Sequence, residues 1–242
     1  MRNLLTGLSA LALATAATPA FAQSETDPPS PITISGSATV VSDYRFRGFS
    51  QSNEKAAIQG GFAVTHDSGL YIGTWGSSIG FNNGTEIDVY GGFSKELTPG
   101  LTGDIGATLY LYPGSSNTSV IEPYASLTGT LGPASLKGGV AWAPSGQVSL
   151  GKDSGIYVYG DLAVGVPTTP IKLKAHLGYA ESDSFLGGAD GKVIDYSLGA
   201  ELNWKALTLG IAYINTDEPT ALGYKKSIGA DGAVVFSIGA AF

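Results

Sequence analysis

Apolar and polar residues alternate with a period of two along most of the chain. Between residues 171 and 179, apolar residues at the odd positions alternate with Lys172, Lys174, His176 and Gly178. The same alternation recurs in the segments 87–94, 101–111 and 194–205. Because successive side chains of a strand point to opposite faces, this pattern predicts β-strands with one apolar and one polar face.

The predicted strands are long enough to cross a membrane. Twelve segments carry the alternation, of which the first is Ile32–Gly48 and the last is Ala230–Phe242. Strands of soluble proteins have about 5–6 residues, whereas a tilted strand that crosses a bilayer needs about 9–11. Since bacterial outer-membrane barrels have an even number of strands, we predict an all-β fold, a transmembrane antiparallel up-and-down β-barrel of twelve strands. Ten or fourteen strands are the alternatives.

The connections between the predicted strands alternate between short and long. The short ones are rich in turn-forming residues and lie at Asp67–Gly69, Thr98–Gly100, Gly132–Pro133, Pro167–Pro170 and Lys205–Ala206. Outer-membrane barrels have short turns on the periplasmic side and longer loops outside. With the N-terminus in the periplasm, every long connection of this chain falls on the outer side.

The first 22 residues have the parts of a secretory signal peptide. Met1–Asn3 carries a positive charge, Leu4–Ala17 is apolar, and Ala20–Ala22 is a small-residue cleavage site. Residues 23–31 contain three prolines and form a periplasmic leader. We therefore expect a cleaved signal peptide over 1–22, a leader over 23–31 and a barrel over 32–242 in the bacterial outer membrane.

The composition agrees with a closed sheet in lipid. Only 14% of the residues are charged, against about 25% in a typical soluble domain. An outward face in lipid must be apolar, and the 35 glycines allow the curvature that a barrel needs. The absence of cysteine excludes disulfides and thiolate metal sites, and the net charge of −7 argues against nucleic acid as a partner.

Most charges within the predicted strands fall on the inward-facing positions. The candidate pore-lining residues are Asp43, Arg45, Arg47, Asp88, Asp104, Glu122, Asp161, Lys172, Lys174, His176, Asp195 and Glu201. Lys137 and Lys205 share this parity, so that seven carboxylates face six cations besides His176. These groups either line a water-filled lumen and set its solute preference, or pair into a network that fills a narrow barrel.

Aromatic residues on the outward positions predict the two girdles of an outer-membrane barrel. We place Trp142, Tyr179, Phe46 and Tyr213 near the outer rim, and Tyr71, Trp204, Phe93 and Phe242 near the inner rim. The chain ends on Phe242 at the end of an alternating strand, which resembles the signal recognised by the barrel-assembly machinery. We therefore expect outer-membrane lipid and this machinery as partners.

The sequence favours no enzymatic role. H-E-x-x-H and phosphate-loop motifs are absent. Twelve-stranded outer-membrane acyl hydrolases place a Ser–His pair on the outer surface, whereas His66 is predicted at the periplasmic end of its strand and His176 on the inward face. We predict no catalytic residue, no metal and no cofactor.

Residues 42–52, Ser-Asp-Tyr-Arg-Phe-Arg-Gly-Phe-Ser-Gln-Ser, closely resemble the opening signature of the TorF-family porins. The resemblance implies an outer-membrane barrel with a pore role and no known substrate. In the alternating pattern, Asp43, Arg45 and Arg47 face the lumen, while Tyr44 and Phe46 face lipid.

The expected function is a porin-like channel for passive diffusion of ions or small hydrophilic solutes. The alternative is a non-conducting structural or adhesive barrel with a plugged lumen.

Overall fold

Twelve antiparallel strands form a closed barrel in the computed structural model of the chain, which describes residues 31–116, 118–219 and 224–242. The predicted signal peptide and all of the predicted leader except Pro31 lie outside the described residues. The barrel strands are β1 (Ile32–Val41), β4 (Ala57–His66), β5 (Leu70–Ser78), β6 (Thr85–Thr98), β7 (Leu101–Leu111), β8 (Val120–Leu131), β9 (Ala134–Ala143), β10 (Gly155–Gly165), β11 (Ile171–Ser182), β12 (Lys192–Trp204), β13 (Leu207–Thr216) and β14 (Ala233–Ala241). The predicted fold class is confirmed.

The remaining elements are short and lie in the connections between barrel strands. Two-residue strands β2 (Arg45–Phe46) and β3 (Phe49–Ser50) pair with each other outside the barrel sheet. Two 3₁₀ turns span Asn82–Gly84 and Phe185–Gly187, and the four-residue helix α1 spans Tyr224–Ser227. Within the described residues, no helix has the length and hydropathy needed to cross a membrane.

The first and last strands close the barrel. β1 pairs with β14 from Ser37 opposite Ala241 to Val41 opposite Ser237. The N–H of Gly36 donates to the carbonyl of Phe242 at 2.7 Å, and the N–H of Phe242 donates to the carbonyl of Gly36 at 2.9 Å. Closure pairs the backbone groups that an open edge would leave unsatisfied, as a sheet in lipid requires.

The five short turns lie at one end of the barrel, where the sequence places them. They connect β4 to β5, β6 to β7, β8 to β9, β10 to β11 and β12 to β13. The other end carries the long connections, including 42–56, 144–154 and 183–191. By the asymmetry of outer-membrane barrels, the short turns mark the periplasmic end and the long loops mark the outer end.

The outer face of the barrel is apolar. Ile34 and Ile58 each leave 70% of their surface exposed, and Leu198 leaves 67%. Large apolar side chains exposed around a whole barrel would be unfavourable in water, but they suit the hydrocarbon of a bilayer. The molecule therefore has the architecture of a bacterial outer-membrane protein, as predicted.

The aromatic girdles are correct in part. Trp142 and Trp204 are exposed on the outer face. The placement of Tyr71 on the lipid side is wrong, because its hydroxyl donates to Asp104 inside the barrel. β5 alternates around Tyr71 with the opposite parity to the predicted one. Leu70 and Ile72 face lipid, and Tyr71 faces the interior.

The first predicted strand is too long. β1 ends at Val41, and residues 42–52, which we call the mouth hairpin, turn inward across the outer end of the barrel. The turn falls at Arg47 and Gly48, with φ of 48° and 85°, which is the pair of positive values that a tight hairpin loop requires. A Cβ at Gly48 would lie 2.3 Å from Cγ2 of Thr216, so only glycine fits against the barrel wall.

Candidate pore interior

The barrel encloses a cavity of about 710 Å³. It extends from Thr33 and Ser35, near the periplasmic end of β1, to Asp43 and Gly48 of the mouth hairpin. Hydroxyl groups, charged side chains and tyrosine rings from the barrel strands line it. Charged side chains therefore border the cavity, which is lined by residues from both ends of the barrel strands.

Ten of the twelve candidate pore-lining residues border this cavity. They are Asp43, Arg45, Arg47, Glu122, Asp161, Lys172, Lys174, His176, Asp195 and Glu201. Asp88 and Asp104 also point inward, but they are buried among neighbouring side chains away from the cavity wall. Lys205 lies exposed in the turn between β12 and β13, so its inward placement is wrong.

Arg45 and Asp43 anchor the mouth hairpin at its base. The Arg45 guanidinium pairs with the Asp43 carboxylate and donates to the carbonyls of Gly229 and Asp231, each at 2.8 Å. Asp43 also accepts the hydroxyl of Ser50 at 2.6 Å. These contacts join the hairpin to the loop that precedes β14.

Arg47 at the tip of the mouth hairpin reaches the opposite wall. Its Nη2 donates to both carboxylate oxygens of Glu122 on β8, at 3.1 and 2.8 Å. Its guanidinium carbon lies 4.1 Å from the ring centroid of Tyr157 on β10, a cation–π distance. The hairpin therefore spans the outer end of the lumen and is held at both sides.

Tyr44 and Phe46 pack inside the barrel, contrary to the prediction that they face lipid. The Tyr44 hydroxyl donates to Glu86 at 2.9 Å, and its ring lies edge-on to Trp75 at 5.4 Å. Phe46 lies 5.8 Å from the ring of Tyr110. Because the chain leaves the barrel sheet after Val41, the parity of β1 no longer determines where these side chains point.

His176 joins two carboxylates in the middle of the barrel. Its Nδ1 lies 2.6 Å from Oδ1 of Asp161, and its Nε2 lies 2.9 Å from Oδ1 of Asp195. The Tyr157 hydroxyl donates to Oδ2 of Asp195 at 3.0 Å. Because each ring nitrogen lies within hydrogen-bond distance of a carboxylate, this arrangement favours the imidazolium form of His176, which can donate from both nitrogens.

The side of the cavity formed by β9 to β12 carries the lysines, toward the periplasmic end. Nζ of Lys174 lies 2.9 Å from Oε1 of Glu201. Lys172 is one inward position closer to the periplasmic end of β11, and Lys137 projects from β9. Both border the cavity.

Sequence reasoning missed one acid and a set of aromatic residues in the interior. The acid is Glu86, which is 2% exposed. The aromatic residues are Trp75, Tyr90, Tyr110, Tyr124, Tyr157 and Tyr159, all of which border the cavity. Each shares the parity of an inward charged or polar residue on its own strand, so the alternation already carried the signal that would have found them.

Neither histidine belongs to a Ser–His pair on the outer surface of the barrel. Nδ1 of His66 lies 2.8 Å from the hydroxyl of Ser68 in the periplasmic turn after β4. The segment 76–80 has the spacing G-x-S-x-G, but its central Ser78 ends β5 and accepts the N–H of Ile58 at 3.0 Å. His176 lies inside the barrel, as predicted.

A family model described as a bacterial protein of unknown function (Gcw_chp) matches residues 25–242. The chain belongs to this family. The match covers the whole barrel, and the family description carries no activity, so the pore role implied by the resemblance to TorF-family porins stays a prediction. Among curated proteins, none matches the sequence.

Solved structures with the same fold are outer-membrane barrels. The NanC porin has 12% identity and a TM-score of 0.59, over 87% of this chain and 99% of the porin. The KdgM porin has 9% identity and a TM-score of 0.58, over 86% and 98%. The COG4313 outer-membrane channel from Pseudomonas putida F1 has 12% identity and a TM-score of 0.51, over 89% and 96%. At these identities the Gcw_chp chain shares the fold with them.

Proposed function

We propose that this Gcw_chp barrel is a porin-like channel of the bacterial outer membrane, through which ions or small hydrophilic solutes diffuse passively. The observation that carries the proposal is the cavity inside the barrel, which is bordered by ten charged or titratable side chains of the predicted set. An aqueous path needs such a lining, because ions and polar solutes are not solvated by an apolar wall. The KdgM porin, a barrel of the same fold, has been solved in complex with disordered oligogalacturonate. For this chain we propose small hydrophilic solutes as the class that passes.

A planar bilayer tests the proposal directly. Purified barrel, refolded in detergent and added to one side, is expected to give discrete conductance steps in potassium chloride. A sample unfolded by boiling before addition is the control and should give none. Refolded protein that inserts but never gives discrete steps would contradict the channel.

The mouth hairpin favours a second candidate, a non-conducting barrel with structural or adhesive function. Arg45 binds one side of the outer opening and Arg47 binds the other, so the hairpin lies across the path. If the barrel does not conduct, loss of an interior charge would lower its stability, and the variant would remain non-conducting. In a channel, Arg45→Ala or Lys174→Ala would instead alter the ratio of anion to cation permeability, which the reversal potential in a salt gradient measures.

We propose no catalytic residue for this chain. The proposed partners are outer-membrane lipid, the solutes of the channel, and the barrel-assembly machinery through Phe242.

A further inference from the structure

We propose that the periplasmic half of the cavity holds a binding site for small oxyanions, such as carboxylates, built on Lys137 and Lys172. The proposal rests on the proposed function in one respect, because it names the class of solute that the channel would take. Binding itself can be measured whether or not the barrel conducts.

Most of the charges that border the cavity are paired with one another. Its five carboxylates each have a cationic partner: Asp43 has Arg45, Glu122 has Arg47, Glu201 has Lys174, and Asp161 and Asp195 share His176. Lys137 and Lys172 form no ion pair with any described residue. The cations left over in the cavity are therefore two lysines.

Lys137 has a buried ammonium group beside the cavity. Lys137 is only 9% exposed, and its Nζ has no hydrogen-bond partner among the described residues. The ring centroid of Tyr159 lies 5.9 Å from this nitrogen. A buried ammonium without a partner is costly, and an anion in the adjoining cavity would supply the acceptor that the protein does not.

Positive charge is concentrated toward the periplasmic end of one wall. The wall formed by β9 to β12 carries three lysines in its periplasmic half, Lys137, Lys172 and Lys174, against Asp161 and Glu201, and His176 lies opposite Asp161 in the middle of the barrel. Asp104, two strands from Lys137 on β7, is the other acid that faces it, and it accepts the hydroxyl of Tyr71 at 2.6 Å. The outer half is acidic, since Asp43, Glu86, Asp88, Glu122 and Asp195 outnumber Arg45 and Arg47. An anion is therefore more favoured at the periplasmic part of this wall than in the outer half of the lumen.

Citrate, a small tricarboxylate, is the probe for the site. We would titrate citrate into the refolded barrel in detergent by calorimetry, at constant ionic strength held with sodium chloride. Wild-type barrel is expected to bind with saturation, and the double variant K137M/K172M to bind about tenfold more weakly or worse, because two charge-assisted hydrogen bonds are lost. Methionine keeps most of the length of the side chain, and removal of two lysines that form no ion pair should leave folding intact.

The matched control also removes two positive charges, but from lysines that lie outside the lumen. In K192M/K205M, the substituted lysines lie exposed at the outer end of β12 and in a periplasmic turn, and affinity for citrate should stay within about twofold of wild type. No saturable binding by wild type, or equal binding by K137M/K172M, would overturn the site. A barrel that binds citrate through these lysines but never conducts would contradict the proposed channel and leave the site supported.

Discussion

Single residues inside this barrel act mostly as partners of one another. One guanidinium nitrogen of Arg47, Nη2, donates to both carboxylate oxygens of Glu122, a charge-assisted contact across the lumen. His176 lies between Asp161 and Asp195 and separates two carboxylates that would otherwise repel each other. Such contacts fix where strands and loops face the lumen, and they also determine which charges remain free for a solute.

The His176 contacts predict a loss of stability in His176→Gln. Glutamine is neutral, so Asp161 and Asp195 would keep their charges without a cation between them. Loss of one partner from a buried charge network costs about 3–5 kcal/mol, and the partial exposure of this site reduces the expected cost to about 1–3 kcal/mol. The measurement is the urea concentration at which the folded band of the barrel disappears from an unboiled gel.

His66→Gln is the control for this change, since the His66 side chain is exposed at the periplasmic end of β4 and its described contacts are with Ser68 alone. Its midpoint should match that of wild type. An unchanged midpoint for His176→Gln would show that the two carboxylates do not depend on the imidazolium.

At the scale of elements, the mouth hairpin is the part of the fold that the sequence did not predict. Residues 42–48 alternate like the strand before them, and nothing in the alternation marks the end of β1 at Val41. The turn residues are Arg47 and Gly48, and only the glycine is a conventional signal for a positive φ. The long-range contacts of Arg45 and Arg47 decide the path, and periodicity carries no information about them.

We expect Arg47→Ala to widen the channel, because the substitution releases the tip of the mouth hairpin. This change removes the contacts of the tip with Glu122 and Tyr157, while Arg45 still holds the base. The hairpin should then leave the lumen for part of the time, and single-channel recordings should show conductance steps larger than those of wild type. Trypsin should also cleave after Arg45 faster in the variant.

Lys55→Ala is the matched control, because Lys55 belongs to the same connection but is exposed to solvent. Step size and cleavage in this variant should equal those of wild type. Identical recordings for Arg47→Ala and wild type would show that the hairpin does not limit the path.

For the whole molecule, the low charge of the sequence follows from the division between an apolar outer face and a polar interior. Period-two alternation predicted that division, the number of strands and the positions of the short turns, because a closed barrel makes every strand obey the same rule. It predicted the direction of Lys174 and His176 but not their partners, since Glu201 and Asp195 lie on a different strand and the pairing depends on register. Register is a property of the assembled sheet, and a single strand does not encode it.

The last residue of the barrel has two roles that one substitution separates. The backbone of Phe242 closes the sheet against Gly36, while its side chain, 54% exposed, is the proposed signal for the barrel-assembly machinery. Phe242→Ala keeps the backbone bonds and removes the ring, so the variant should refold in detergent nearly as well as wild type but accumulate less in the outer membrane of cells. Phe236→Ala, which removes an equally exposed ring from the middle of β14, should leave accumulation unchanged. Equal amounts of Phe242→Ala and wild type in the outer-membrane fraction would show that the terminal ring is not the signal.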